Sequence, residues 1–215
     1  MVKKHNKQSG VTLIELIVVI GIFAVVSSVL LFNYSDFSTN VSIRNLSQDI
    51  ALSIRKSQTF ATSVRGISPG GTAQYPAYGI VFSLEPNIDT FSPNSKRFIS
   101  FADIIPSGQS TPNKKYDSNG TCGSPSEGAE CIESISINSS DSIIEIETDV
   151  LGSQTTGSVV ITFRRPSPDA IICLIPSSQD VCTTQIPSYA KIKLRSAKGL
   201  IRTVSVWNTG QINVE

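Results

Sequence analysis

One carboxylate lies in unusual surroundings. Glu15 is the only charged residue in the apolar run 11–32, which is 22 residues long. As a helix, that run is roughly 33 Å long and can cross a bilayer core. A carboxylate in such a helix costs on the order of 2–3 kcal/mol towards the bilayer centre, and less near its edge. An ordinary anchor has no reason to carry this cost, so we expect Glu15 to pair with a cation in an apolar setting.

The four cysteines are the second candidate for chemistry. Cys122 and Cys131 form one pair and Cys173 and Cys182 another, each with eight residues between the partners. An even count in a chain with an export-type N-terminus favours disulfides outside the cytoplasm. Three connectivities are open, and we expect the local one, Cys122–Cys131 and Cys173–Cys182. A four-cysteine zinc site usually needs a shorter spacing, which is absent.

The chain after residue 10 contains no histidine, so it has no imidazole group for catalysis or metal binding. The only histidine is His5, inside the basic first ten residues. Without another, Ser–His–Asp or Cys–His catalysis and HExxH zinc chemistry are excluded. We therefore expect no enzyme and no cofactor. Calcium is a weak alternative at Asp103, Asp117 and Glu133, but Lys115 occupies the first ligand position of an EF-hand there, and a turn over 117–120 fits better.

A basic stripe could contact phosphate groups. Lys191, Lys193 and Arg195 alternate along one predicted strand, with Lys198 and Arg202 nearby. Alternate residues of a strand share one face, so the three would present positive charge together. The solvated face of an outer strand carries the same pattern. Both interpretations stay open, and DNA is an uncertain partner.

The elements around these residues begin with a helix. Three lysines precede the apolar run, so the positive-inside rule predicts a single-pass protein with its N-terminus in the cytoplasm and the chain after Phe32 outside. Apolar residues then recur at steps of three and four from Ile43 to Ile54, an amphipathic stripe. The sequence Arg65-Gly66, followed by Pro69, predicts the end of this helix.

Beyond Gly71, alternating or continuous apolar runs predict strands separated by turns. These runs are 78–84, 97–102, 131–137, 143–148, 159–164, 171–175, 190–195, 201–207 and 211–214. Residues 197–199 and 208–210 are typical of hairpin turns. The apolar stripe of the helix must be buried against another element, and the predicted sheet can cover it. We therefore predict an α+β fold in which a long N-terminal helix packs on a C-terminal antiparallel β-sheet domain with two disulfide loops.

The N-terminus resembles a known processing signal. Residues 7–20 read KQSGVTLIELIVVI, which resembles the class III signal of type IV prepilins and pseudopilins. The resemblance implies that a prepilin peptidase cuts between Gly10 and Val11 and N-methylates Val11. It also implies that Glu15 pairs with the Val11 amine of a neighbouring subunit and sets axial register. The implied segments are a leader at 1–10, a transmembrane and filament-core helix at 11–32, an amphipathic half-helix at 33–66 and a globular β-domain at 72–215.

Two other interpretations of this N-terminus remain. An ordinary signal peptide has its cleavage site after the apolar stretch, and Ser27-Ser28 could serve as one. A plain membrane anchor is the second. Neither accounts for a basic leader that ends in glycine and is followed by a fifth-position acid.

A second resemblance extends further along the chain. Residues 46–58, LSQDIALSIRKSQ, followed by Val64-Arg65-Gly66, are similar to the GspH/FimT family of minor pseudopilins and minor pilins, as is the closing stretch 204–212. DNA-binding members of that family carry G-R-x-R near the C-terminus. Here Gly210-Gln211-Ile212-Asn213 lacks both arginines, which weakens the transfer of a DNA-binding role.

Together the resemblances imply a structural subunit. They indicate a minor pilin or pseudopilin of a type IV pilus or a type II secretion pseudopilus. Its partners would be other pilin or pseudopilin subunits, the prepilin peptidase, an inner-membrane assembly platform and, before assembly, membrane lipid. A major pilin is one alternative. A filament-associated or membrane-tethered subunit that binds DNA or acts as an adhesin is another.

Overall fold

The computed structural model describes residues 10–68, 73–85, 93–105, 114, 116–117, 122–123, 125, 129–150, 152–175 and 187–215. The chain separates between Thr39 and Asn40 into two units. The first is helical from Leu13. The second holds the later turns of that helix and the strands, and each unit is described by itself.

Helix α1 runs over Leu13–Thr62, 50 residues, and ends in a left-handed residue. Val64 has a φ of 55°, and the N–H of Arg65 donates to the carbonyl of Phe60 at 3.2 Å. This bond belongs to the Schellman motif that commonly closes helices. Because a β-branched residue is strained in the left-handed region, the surrounding packing must hold the turn.

The strands lie within one residue of their predicted ends. They are β1 Ala77–Ser83, β2 Arg97–Asp103, β3 Cys131–Ser136, β4 Ser142–Thr148, β5 Gly152–Gln154, β6 Ser158–Phe163, β7 Ala170–Ile175, β8 Tyr189–Arg195, β9 Ile201–Trp207 and β10 Ile212–Val214. Only β5 among these was missed, because its three residues carry no apolar pattern. Both predicted hairpins form, β8 with β9 and β9 with β10.

The prediction of one sheet was wrong, because the strands form two antiparallel sheets. The first sheet has the order β3-β2-β1-β6-β7 and the second β10-β9-β8-β4-β5. A period of two identifies a strand but does not say which strand it pairs with. The chain crosses between the sheets after β3, β5 and β7, so neighbours in sequence are not always neighbours in space.

One core joins the helix to both sheets. Ile50 and Ile54 of α1 pack in the same cluster as Phe82 of the first sheet and Ile192 of the second. These four side chains are fully buried. The amphipathic stripe predicted from the sequence is thus the buried face of α1, and both sheets cover it rather than one.

The first sheet is buried on its other face as well. A second cluster there contains Phe101, Val160 and Cys173, with Tyr116 packed against it. All seven residues of β1 are buried. A strand covered on both faces needs apolar residues at successive positions, which explains the continuous apolar run at β1.

The structure tests one of the two predicted disulfides. Cys122 and Cys131 are bonded, as expected from their spacing. Cys173 is buried in the second cluster. Its predicted partner, Cys182, lies outside the described residues, so Cys173–Cys182 stays a prediction.

Candidate processing and assembly site

The first turn of α1 is closed by a reciprocal pair of hydrogen bonds. The backbone N–H and the hydroxyl of Thr12 both donate to Oε2 of Glu15, each over 2.8 Å. The backbone N–H of Glu15 in turn donates to Oγ1 of Thr12 over 3.3 Å. This is the capping box, which satisfies donors that a helix start leaves without partners. The Glu15 side chain is therefore anchored one turn after Val11.

This arrangement leaves the carboxylate available to a cation. Oε2 of Glu15 takes both bonds from Thr12, and no hydrogen bond to Oε1 is found among the described residues. The N-terminal end of a helix also favours negative charge. The side chain can therefore keep its cap and still accept a charge-assisted bond from an ammonium group.

The helix around Glu15 is apolar on all sides and uncovered. From Val11 to Val29, each exposed large apolar side chain is more than half exposed, with Val11 at 77% and Phe23 at 72%. The exposed set includes the successive residues 16–20, which occupy more than a full turn. A helix that is hydrophobic all round is normally buried in a membrane or among other helices.

Comparison with known proteins identifies this segment. The family model described as "Prokaryotic N-terminal methylation motif" matches residues 5–31, a range that includes Gly10, Val11 and Glu15. The chain carries a type IV pilin-like prepilin signal. This confirms the resemblance noted for residues 7–20. No curated protein and no solved structure matches the chain.

The prepilin signal has consequences for partners and location. It implies interaction with a prepilin peptidase and with other pilins, and it points to a structural subunit rather than an enzyme. Such a precursor is anchored in a membrane and then assembled. Among the described residues, no helix combines the length and the hydropathy needed to cross a membrane, and the single-pass topology stays a prediction.

Thr12 is the residue of the prepilin signal that sequence reasoning missed. It positions Glu15 through three of the hydrogen bonds at the helix start. The signal was present, since Thr-x-x-Glu before an apolar run is the pattern of a capping box.

Loss of the Thr12 hydroxyl should loosen the first turn. We expect Thr12→Val to weaken the helix start by about 1 kcal/mol, which is about fivefold faster exchange at the Glu15 amide. Hydrogen exchange of the full-length protein in detergent micelles measures this. Thr12→Ser keeps the hydroxyl and serves as the control. Equal protection in both variants would show that the cap is not formed.

The predicted calcium ligands do not come together. Asp103 and Asp117 lie beside a buried carboxyl that sequence reasoning missed, Glu130. Glu133 instead pairs with Nζ of Lys56 over 2.6 Å. No group of three or more His, Cys, Asp or Glu residues in the described part of the chain is arranged to hold a metal ion.

Glu130 holds two backbone segments together. Its Oε1 accepts the N–H of Ile104 over 2.8 Å and its Oε2 the N–H of Asp117 over 3.0 Å. Burial raises the pKa of Glu130 from 4.5 to about 8, and the carboxylates of Asp103 and Asp117 act in the same direction, while the two N–H bonds oppose them. The folded protein therefore holds this proton more tightly than the unfolded chain.

The sign of the resulting pH dependence follows from linkage. Below pH 4.5 both states are protonated, and between about 4.5 and about 8 only the folded state keeps the proton. The stabilisation is thus complete in acid and is lost as the pH rises through that window. Relative to Glu130→Gln, we expect the wild type to lose on the order of 2–4 kcal/mol between pH 5 and 8. Urea unfolding measures it, with the exposed Glu133→Gln as control, and a difference independent of pH would contradict it.

Two lysines of the basic stripe, Lys191 and Lys193, pair with glutamates. Nζ of Lys193 lies 2.8 Å from Oε1 of Glu145 and 2.9 Å from Oε2 of Glu147. Nζ of Lys191 lies 3.1 Å from Oε1 of Glu147. The glutamates face the lysines across β4 and β8, because Glu145 is in register with Lys193 and Glu147 with Lys191. Opposite charges at such positions stabilise a sheet.

The other three basic residues of the stripe lie in different parts of the second sheet. Arg195 lies exposed on the same face of β8 as the two lysines, and Lys198 lies in the β8–β9 turn. Arg202 is in register with Leu194, a core residue, whereas Lys193 is in register with Thr203. Cross-strand partners share a face, so Arg202 lies on the opposite face from the lysines.

Proposed function

We propose that this protein is a structural subunit, a minor pilin or pseudopilin, of a type IV pilus or a type II secretion pseudopilus. The observation that carries the proposal is the geometry of Glu15. A single carboxylate is capped onto the first turn of an apolar helix, within the residues that match the methylation motif.

Processing would create the partner of this carboxylate. Hydrolysis of the Gly10–Val11 peptide bond by the prepilin peptidase releases the leader and leaves an amine at Val11, which then receives a methyl group. A secondary amine of this kind remains protonated near neutral pH. It is a cation at the edge of the apolar helix, four residues before Glu15.

Assembly would bring that cation to a neighbouring carboxylate. In a filament, the Val11 ammonium of one subunit would meet Oε1 of Glu15 in another, while Oε2 keeps its bonds to Thr12. A buried ion pair contributes little net stability, but leaving one partner unpaired is expensive. The pair therefore selects the axial register in which both charges are satisfied.

The apolar surface would supply the cohesion. Before assembly, residues 11–32 would lie in lipid as the single pass of the precursor. An assembly platform in the inner membrane would then transfer them into a core of like helices, where close packing between helices replaces lipid contacts. The β-domain would remain outside the membrane.

The minor or pseudopilin assignment rests on the GspH/FimT resemblance. A major pilin would have the same N-terminus, and abundance on sheared filaments separates the two. The lysine pair of the basic stripe gives little support to a DNA-binding subunit, since Glu145 and Glu147 compensate its charge.

The mass of the mature N-terminal peptide tests the proposal. We expect a peptide that begins at methylated Val11, and a Gly10→Val variant that keeps its leader. Gly21→Ala is a matched control, because a Cβ at Gly21 meets no atom within 4 Å. A retained leader in the wild type, or a mature chain that starts after Glu15, would overturn the assignment.

A further inference from the structure

The β8–β9 hairpin ends in a tip that carries both apolar and basic side chains. We define the hairpin tip as residues 195–202. Leu200 is 38% exposed and Ile201 is 58% exposed. Three exposed cations flank this apolar pair, namely Arg195, Lys198 and Arg202. Apolar side chains flanked by Lys and Arg are typical of segments that lie in the interface of a membrane.

Backbone pairing holds these side chains together. Arg195 is in register with Ile201 across β8 and β9. In the turn, the N–H of Ser196 donates to the carbonyl of Leu200 over 2.9 Å, and the N–H of Leu200 donates to Oγ of Ser196 over 3.0 Å. Successive side chains of a strand point to opposite faces, so Arg202 lies on the other face from Ile201 and Arg195. The apolar pair therefore has a cation on each face of the hairpin.

The hairpin tip lies at the end of the second unit where α1 enters it. Ser42 is the third residue of that unit, and its hydroxyl donates to Oδ2 of Asp141 over 2.6 Å. The next residue, Ser142, is in register with Arg195 of the tip. The chain therefore comes from the apolar run 11–32 and enters the unit at the end that carries the tip.

Positive charge is in excess at the hairpin tip. The chain has no Asp or Glu between residues 181 and 214. On the neighbouring segments, Asp141 is buried, and Glu145 pairs with Lys193. Glu215, just after β10, is exposed and offsets one of the three positive charges. Within the part of the chain that the structure describes, neither arginine of the tip makes an ion pair.

We propose that the hairpin tip contacts the anionic phospholipid surface of the membrane that holds residues 11–32, an inference that rests on the proposed function. The cations face lipid phosphate groups, and each gives about a fivefold preference for an anionic surface. Leu200 and Ile201 enter the boundary between headgroups and acyl chains. Because the chain enters the unit at this same end, the bilayer is the surface nearest to the tip along the chain.

This contact gives the precursor a resting orientation before assembly. The β-domain lies with one end on the lipid, while its other surfaces remain accessible to an assembly platform. The tip must leave the lipid when the subunit enters a filament, so the contact has to be weak and reversible. Exposed charges are screened by salt, and the contact therefore weakens as the ionic strength rises.

Tryptophan fluorescence of the full-length protein in lipid nanodiscs tests the proposal. Leu200→Trp in a Trp207→Phe background places the only tryptophan of the chain in the hairpin tip. In discs that contain phosphatidylglycerol, we expect blue-shifted emission that is quenched by lipids brominated in their acyl chains. In discs of phosphatidylcholine alone, or at high salt, we expect the emission of a solvated tryptophan without this quenching.

Charge variants at the two ends of the unit separate local contact from general attraction. Adding Lys198→Gln and Arg202→Gln to the probe protein should lower the ratio of docked to undocked tips about 25-fold. Arg65→Gln with Arg165→Gln removes the same charge at the other end, since Arg65 follows the end of α1 and Arg165 stacks on Tyr75, whose ring contacts Gly66. This control should leave the quenching unchanged, and thermal melting of each variant checks folding.

The outcomes distinguish this contact from the filament role. Equal quenching in both kinds of disc, or quenching that survives Lys198→Gln with Arg202→Gln, overturns the lipid contact. A blue shift without quenching also overturns it and assigns the tip to a second copy of the chain. Residues 11–32 are present in precursor and mature protein alike, so a retained leader with a quenched tip refutes the filament subunit and supports the lipid contact.

Discussion

A Glu15→Val protein should insert into the membrane and lose its leader normally, yet be nearly absent from filaments. The substitution removes the carboxylate but keeps an apolar helix, so insertion is not impaired. In the filament, the Val11 ammonium of a neighbour would then be buried without a partner. Such an unpaired charge costs about 3–5 kcal/mol, or more than about a hundredfold in each contact equilibrium. Immunoblots of sheared filaments and of membranes measure the two pools.

A second substitution separates the ion pair from the helix cap. Glu15→Gln keeps an oxygen that can accept the bonds from Thr12, but it has no charge. If pairing is the role of Glu15, this variant should fail in assembly almost as severely as Glu15→Val, whereas Thr12→Val should assemble better than both. Normal incorporation of Glu15→Gln would refute the ion pair and leave only a capping role.

Gly210→Ala should prevent stable folding of the β-domain. Gly210 has a φ of 79°, and a Cβ there would lie 2.2 Å from the carbonyl oxygen of Pro168 and 2.6 Å from Nε2 of Gln58. That amide donates to the carbonyls of Pro168 and Gly210 over 2.9 and 3.1 Å, tying α1 to two loops. We expect a loss above about 4 kcal/mol, a value reserved for severe packing or backbone defects. Urea unfolding of the purified protein measures it.

Gly199→Ala is the control for this substitution. Gly199 has nearly the same backbone, with a φ of 83°, but a Cβ there meets no atom within 4 Å. It should therefore show only the conformational cost of a left-handed alanine, about 1–2 kcal/mol. The difference between the two variants isolates the close approach at Gly210. Equal losses would mean that the loop carrying Pro168 moves aside without consequence.

The predicted strands have two kinds of apolar sequence, continuous and alternating. The difference indicates not only where a strand lies but also whether one or both of its faces are buried. β7 (AIICLI) is continuously apolar and β6 (SVVITF) is apolar except at Ser158 and Thr162, and both lie in the first sheet, which has a buried cluster on each face. β8, with the alternating sequence YAKIKLR, lies in the second sheet and buries every other residue. A strand buried on both faces cannot alternate, and a half-exposed one must. The division into two sheets was thus partly visible in the sequence.

The sequence by itself determined the features that depend on residues close together in the chain. The prepilin signal, the capping box at Thr12 and Glu15, the ends of the strands and the Cys122–Cys131 loop are all contained in segments of at most a few tens of residues. Their chemistry depends on spacing along one helix turn, strand or loop, and that spacing is the same before and after folding.

Only the tertiary structure decided which charges are satisfied. Lys193 and Glu145 are 48 residues apart, yet strand register brings them into contact, so that glutamates compensate the charge of Lys191 and Lys193 in the basic stripe. The burial of Glu130 and the stacking of Arg165 on Tyr75 likewise join distant segments. The energy of a charge depends on the atoms packed around it, and packing between distant segments has no counterpart in the local pattern of the chain.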